Sequence, residues 1–284
     1  MNKTIIIKSP AKINLTLEVI RKYKDHFHEI KSVVMNSDLH DEISLKKSDT
    51  FEIITNSNIP QNENLIYKSY VFLKEKFGDL PTKIYLKKNI PLDSGLGGGS
   101  SNAANFLKGM NQLWELDLNN DYFEKIGRKI GSDVNLFFHP GINLLKNTGS
   151  DTENIRANLK GSLIIFHDDI HIPKKTFKAY NIIKPSSFTD GTISEQLIEF
   201  IKDQSINLTE IDCFNVFDEY ITKLYPDLLE FKHYLTKLIG VNIHMSGSGK
   251  SLFCFFEDLE KAKYIYKNIE VKNYKKILTS SWKE

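Results

Sequence analysis

Residues 91–101 read Pro91-Leu92-Asp93-Ser94-Gly95-Leu96-Gly97-Gly98-Gly99-Ser100-Ser101, four glycines in five positions followed by two hydroxyl side chains. A strand-like run, Ile84-Tyr85-Leu86-Lys87-Lys88-Asn89-Ile90, leads into it, and Ala103, Ala104, Leu107 and Met110 follow at helical spacing. A chain that turns from strand to helix through such residues converges several main-chain N–H groups on one point. Glycine permits positive φ and brings no Cβ to hold an anion away from the backbone. The helix N-terminus adds unpaired amides and the positive end of its dipole. The stretch therefore reads as a phosphate cradle, with Ser100 and Ser101 as hydroxyl donors, in preference to a surface linker. It is not a Walker loop, because no Gly-Lys-Ser/Thr closes it. It also lacks an acidic residue at the end of a following strand about 20 residues on, which would complete a dinucleotide fingerprint.

Working outward, near-alternate apolar residues predict strands at Thr4 to Ile7, Ile13 to Ile20, Ile30 to Met35, Glu42 to Lys46, Phe51 to Thr55 and Lys83 to Leu86. A helix is predicted over Leu65 to Phe77, capped by Asn62-Glu63-Asn64 and stopped by Gly78. Helices follow at Ser100 to Leu113 and Asn119 to Ile130, the latter ending at Gly131. Beyond them come strands at Val134 to Phe138, Gly161 to Phe166 and Val241 to Met245, and helices at Gln196 to Lys202, Asn215 to Lys223, Leu228 to Ile239 and Leu259 to Asn268. Mixed short strands and helices without strict alternation predict an α+β protein. The polar segment from Asn147 to Asn158 is the best place for a boundary, giving parts 1–152 and 153–284.

Bulk properties exclude several classes. The 284 residues suit one large domain or two fused halves, and no run approaches the ~18 uninterrupted apolar residues of a membrane span. The opening Met1-Asn2-Lys3-Thr4-Ile5-Ile6-Ile7-Lys8 has too short an apolar run for a secretory signal, so a cytoplasmic location is expected. Cys213 and Cys254 are the only cysteines and match neither a disulfide framework nor metal-ligand spacing. With 38 basic and 36 acidic residues, the formal charge of +2 gives no field for nucleic acid or an anionic membrane. Most lysines read as solvated surface. Lys87 and Lys88 are set apart by their place just before the glycines.

Pro91-Leu92-Asp93-Ser94-Gly95-Leu96-Gly97-Gly98-Gly99-Ser100-Ser101-Asn102-Ala103-Ala104 resembles the second motif of the GHMP kinases, the superfamily of galactokinase, homoserine kinase and mevalonate kinase. Ser9-Pro10-Ala11-Lys12-Ile13-Asn14 resembles their N-terminal motif and Met245-Ser246-Gly247-Ser248-Gly249 their third, in the same order. Within the superfamily the chain is most similar to the family of 4-diphosphocytidyl-2-C-methyl-D-erythritol kinases. Further likeness lies in Asp25-His26-Phe27-His28-Glu29, Glu63-Asn64-Leu65-Ile66, Gly131-Ser132-Asp133-Val134, Asn215-Val216-Phe217-Asp218 and Tyr225-Pro226. The resemblance implies a two-domain GHMP kinase fold with the active site in the cleft between the halves. An N-terminal domain, 1–152, would carry the phosphate loop and ATP site, and a C-terminal domain, 153–284, would complete the substrate cleft. The implied reaction is ATP-dependent phosphorylation of a cytidine diphosphate-linked methylerythritol, with Mg2+ as the metal. The chain would act as a monomer or homodimer, without nucleic acid or membrane.

The same resemblance assigns residues. Asp133 is the expected general base, although an Asp beside glycine is more often a turn or cap residue. Lys12, in an apolar strand where an ammonium needs a partner, is expected to pair with Asp133, although by itself it reads more readily as a strand-edge lysine reaching solvent. Asn14, His28 and Gly247 fall on the acceptor side, and Phe27 and Tyr180, with Thr176, match an aromatic clamp on cytosine. Core packing is the alternative for both aromatics. Asn64 and Leu65 fall near the adenine site, Asn102 follows the phosphate loop, and Ser100 is the hydroxyl offered to magnesium. Departures from the family pattern fall at His26, Asn135, Asn143 and Lys250, away from Lys12, Asp133 and the glycines. They leave open another small alcohol or isoprenoid precursor as acceptor; a nucleotide-binding protein that kept the fold and lost catalysis is a separate alternative, opposed by the intact Lys12, Asp133 and glycines.

Overall fold

The computed structural model describes residues 3–24, 27–168, 172 and 175–282. They form two compact units, each built from separate stretches of chain. The first comprises Met1–Ala11, Leu39–Ile90 and Gly97–Pro140, the second Lys12–Asp38, Pro91–Leu96 and Gly141–Glu284. The units are thus not the consecutive parts 1–152 and 153–284 of the sequence reading. A local shift in composition cannot reveal pairings between residues far apart in the chain, and such pairings decide the packing.

In the first unit, residues 42–47 of the strand His28–Lys47 pair antiparallel with Thr82–Lys87, which pairs in parallel with Glu52–Thr55. Thr82, Ile84 and Leu86 alternate inward along their strand. The helices Leu65–Phe77, Gly98–Trp114 and Asn120–Ile130 pack on one another. Asn64 caps the first by accepting from the Ile66 amide at 3.0 Å, and Gly78 ends it. Gly98–Trp114 buries Ala103, Ala104, Phe106, Leu107, Met110 and Leu113, the stripe its spacing predicted.

In the second unit, Thr16–Lys22, residues 28–35 of the long strand, Ile142–Lys146 and Asp151–Ile155 pair antiparallel in that order. Phe214–Asn215 joins Thr16 and Leu17 in parallel. A second antiparallel sheet runs in the order His244–Ser246, Ser251–Phe256, Ser162–His167, Lys275–Ser280. Its two middle strands are buried along their whole length. Phe166, Phe217, Leu235, Met245, Leu252 and Phe256 belong to the core of this unit. No helix among the described residues is long and apolar enough to cross a membrane.

The structure corrects three local expectations. Val134 to Phe138 is not a strand: Asn135–Phe138 is a turn of 3-10 helix, and Lys108 donates to the carbonyls of Phe137 and Phe138 at 3.1 and 3.2 Å. Five residues, four of them apolar, are too few for periodicity to separate strand from helix. Asn215 to Lys223 is a short strand, a 3-10 turn and the helix Ile221–Leu224, because the Asn215 side chain is used as an anchor. The polar segment from Asn147 to Asn158 contains the hairpin strand Asp151–Ile155, reached through a turn with Asn147 and Gly149 at positive φ.

Candidate active site

The glycine-rich segment is a series of turns that opens into a helix. Asp93, Gly95 and Gly97 have φ of 54°, 80° and 73°, and Gly97 is the residue before the helix Gly98–Trp114. Within the turn, Ser94 Oγ donates to the Pro91 carbonyl at 2.7 Å, and the Ser101 amide closes the first helical bond to Gly97 O at 2.9 Å. By helix geometry the amides of Gly98, Gly99 and Ser100 have no acceptor inside the helix. These are the amides that the sequence reading expects to bind an anion.

Motifs from three parts of the chain meet in the second unit. The Lys12 amide donates to Leu96 O at 2.9 Å, and buried Lys12 Nζ donates to Asn14 Oδ1 at 2.6 Å. Asn14 Nδ2 donates to Ser32 Oγ at 2.8 Å. The third motif, Met245-Ser246-Gly247-Ser248-Gly249, packs backbone to backbone on the glycine-rich segment. A Cβ on Gly95 would lie 3.0 Å from Ser246 O, and one on Gly247 3.2 Å from Gly95 O. Asn215 Nδ2 donates to Met245 O and Gly247 O at 2.8 and 2.9 Å, and Tyr225 Oη to Ser248 O at 3.0 Å. Sequence reading marked Asn215 and Tyr225 only as family likeness; their work is to hold this turn. Lys175, which donates to Asp93 O and Gly249 O, was missed. A lysine in the pair Lys174-Lys175 looks like surface.

In the first unit, Leu65 stands beside the helix start, its Cδ1 3.6 Å from where a Gly99 Cβ would be. Ser100 Oγ lies 4.0 Å from the Cβ position of Gly131, so the Gly131-Ser132-Asp133 turn runs alongside it. Asp133 is half-buried and accepts from Ser132 Oγ at 3.3 Å. Asn102 is held from both ends of its amide: its Oδ1 accepts from Lys88 Nζ at 2.8 Å and its Nδ2 donates to Asp41 at 2.9 Å. Lys88 and Asp41 form a buried ion pair under the helix start, and the carboxylate also takes the amides of Asn89 and Ile90 at 2.7 and 2.8 Å. Burial lowers the Lys88 pKa against the opposing pull of Asp41. Lys87, its neighbour, is exposed beside Glu42.

The residues expected on the acceptor side, Asn14, Phe27, His28, Thr176, Tyr180 and Gly247, all belong to the second unit. The His28 ring lies 5.3 Å from Tyr180 and 6.3 Å from Phe188, and Tyr180 packs edge-on against Phe217 at 5.0 Å. Tyr180 is therefore partly core. Phe27 is 62% exposed, as is Phe177 at 61% on the helix Lys175–Asn181. Thr176 Oγ1 and Ser248 Oγ are 3.4 Å apart. His28 is buried and its Nε2 has no hydrogen-bond partner. Burial, helped by Lys22, lowers its pKa, so the imidazole is neutral at pH 7. Asp25 and His26 lie outside the described residues.

Fold and motifs together define a small-molecule kinase of the GHMP type. Residues 64–141 match the GHMP kinases N terminal domain. The crystal structure of a 4-(cytidine 5'-diphospho)-2C-methyl-D-erythritol kinase shares the fold with a TM-score of 0.82 at 22% identity, covering 99% of this chain and 100% of that one. That of homoserine kinase from Cytophaga hutchinsonii gives 0.68 at 18% identity, over 99% and 95%. In sequence the chain is 31% identical over 280 residues to the 4-diphosphocytidyl-2-C-methyl-D-erythritol kinase of Dehalococcoides mccartyi, 98% of each chain. It is 33% identical over 275 residues to the enzyme of that name from Alkaliphilus oremlandii, 95% of this chain and 94% of the other. The chain belongs to the family of 4-diphosphocytidyl-2-C-methyl-D-erythritol kinases.

Proposed function

We propose that the chain transfers the γ-phosphoryl group of ATP to the 2-hydroxyl of 4-diphosphocytidyl-2-C-methyl-D-erythritol, a step of non-mevalonate isoprenoid precursor synthesis. Beyond family membership, the observation that favours this acceptor is the orphaned, buried Nε2 of His28 among aromatic rings. A buried polar atom left unpaired costs about 1–3 kcal/mol. A pyrimidine edge supplies the missing hydrogen bond, and the exposed face of Phe27 offers it a stacking surface.

Phosphoryl transfer is mostly positioning and charge stabilisation. In this proposal the amides of Gly97, Gly98, Gly99 and Ser100 hold the triphosphate, while Asn64 and Leu65 frame the adenine. Asn14, Thr176, Tyr180 and Gly247 orient the acceptor. Asp133 takes the hydroxyl proton as the oxygen attacks the γ-phosphorus, and ADP departs. Lys12 offsets the charge that develops. Magnesium supplies charge neutralisation at the phosphates when bound. Ser100, with nucleotide oxygens and water, would hold the ion.

Purified protein with this alcohol and Mg-ATP is expected to release ADP and yield the 2-phosphate. Asp133→Ala should lower kcat by about 100-fold or more, the scale of a lost general base, with ATP affinity kept within about threefold. Wild-type turnover no greater than that of the variant refutes the reading. A panel of other small alcohols tests the remaining acceptors.

A further inference from the structure

Lys175 opens the helix Lys175–Asn181, and its buried ammonium joins two turns that belong to different motifs. It donates to the main-chain carbonyl of Asp93 at 2.6 Å and to that of Gly249 at 2.8 Å. These turns touch with no side chain between them: a Cβ on Gly95 would sit 3.0 Å from Ser246 O and 3.5 Å from Gly249 O. Two backbones that bring carbonyl oxygens together repel unless a donor lies between. Asn215 and Tyr225 satisfy the carbonyls of Met245, Gly247 and Ser248 inside the third turn. The Lys175 ammonium takes the Gly249 carbonyl and also reaches into the glycine-rich segment.

The surroundings show that this charge is kept at a cost. Burial pushes the Lys175 pKa down to about 8; Asp93 and Asp168 raise it, while Lys12 and Lys250 lower it further. Lys250, at φ +79°, pairs with Asp168 at 2.5 Å in the same buried place. An apolar residue would avoid the desolvation penalty of Lys175. Groups so perturbed concentrate where function requires them.

We propose that Lys175 is a positioning residue for nucleotide binding, tying the start of the glycine-rich segment to the third glycine turn and so fixing the direction of the amides that follow. This rests on the reading of that segment as the ATP phosphate site. The test is calorimetric titration of ATP into wild type, Lys175→Met, Lys175→Gln and Lys178→Met, the last removing an exposed charge from the same helix. Lys175→Met is expected to weaken Kd about tenfold, equivalent to about 1.4 kcal/mol, with stoichiometry unchanged. Lys175→Gln, which retains N–H donors on a shorter arm, should weaken it about threefold, and Lys178→Met should not change it. A purely structural role would lower the stoichiometry of binding while the remaining protein keeps its Kd. That pattern, or an unchanged Kd in Lys175→Met, overturns the proposal, and Lys175→Gln decides the matter if the methionine variant does not fold. Wild-type protein that binds no ATP would instead refute the kinase reading itself.

Discussion

In the proposed function His28 divides its energy between folding and binding. Its Nε2 is buried without a partner, which costs the fold stability, and in that proposal the acceptor supplies the missing hydrogen bond. His28→Leu keeps the packing against Tyr180 and Phe188 and removes the orphan. It is expected to raise stability by about 1 kcal/mol and to raise KM for the cytidyl alcohol about tenfold or more, the scale of one lost hydrogen bond in a buried site. The ATP Kd should stay fixed. Denaturant unfolding and acceptor-saturation kinetics check the two arms, and a variant that loses stability without a change in KM would make His28 a core residue. The sequence revealed the residues whose constraint is local. The glycines are legible because turns at positive φ favour them; Lys12 drew attention because an ammonium in an apolar strand needs a partner, and in the structure its Nζ donates to Asn14 Oδ1. Lys175 was hidden because its acceptors, Asp93 and Gly249, are 82 and 74 residues away and are main-chain atoms, which leave no mark on side-chain pattern. Lys87 and Lys88 look alike in sequence, yet one is exposed and the other is sealed against Asp41, 47 residues distant.

Among the elements, the strand His244–Ser246 carries the third glycine turn and makes it sensitive to acid. The His244 ring packs on Phe253 and Phe255 at 5.4 and 6.0 Å, and burial, assisted by Lys232, lowers its pKa to about 4. The unfolded chain binds this proton below pH 6.5, whereas the folded chain resists it until about pH 4. Stability is therefore full above pH 6.5 and falls as the pH drops toward 4, by about 3 kcal/mol at about 1.4 kcal/mol per pH step. His244→Gln has no proton to take up, so its melting temperature should fall less than that of wild type between pH 6.5 and 4.5. Parallel acid limbs in the two proteins would exclude His244 as the source. Helices with a capping residue and an apolar stripe were read nearly whole, as at Leu65–Phe77 and Leu259–Asn268. Elements set by distant partners were not: His28–Lys47 is one strand where alternation suggested two, because its halves find different neighbours, Ile142–Lys146 and Thr82–Lys87.

For the molecule as a whole, near balance of 38 basic and 36 acidic residues means that nucleotide affinity must come from local groups and not from a broad field. In the proposed site those local groups are main-chain amides, supported by the buried ammonium ions of Lys88 and Lys175, which are held at a cost to folding. Ligand binding should repay part of that cost as stability. ATP at 100 times its Kd stabilises the native protein by about 2.7 kcal/mol through mass action. For a chain somewhat above 250 residues that corresponds to a rise in melting temperature of about 5 °C. The rise should grow with the logarithm of ATP concentration. It should persist in Asp133→Ala, since a base directed at the acceptor does not hold the nucleotide, and shrink in Lys175→Met, whose amides are no longer aimed. Thermal melts over a range of ATP concentrations measure all three proteins together. A flat wild-type response would remove the glycine-rich segment as a nucleotide site, whereas equal responses in wild type and Lys175→Met would leave the site and remove the lysine from it.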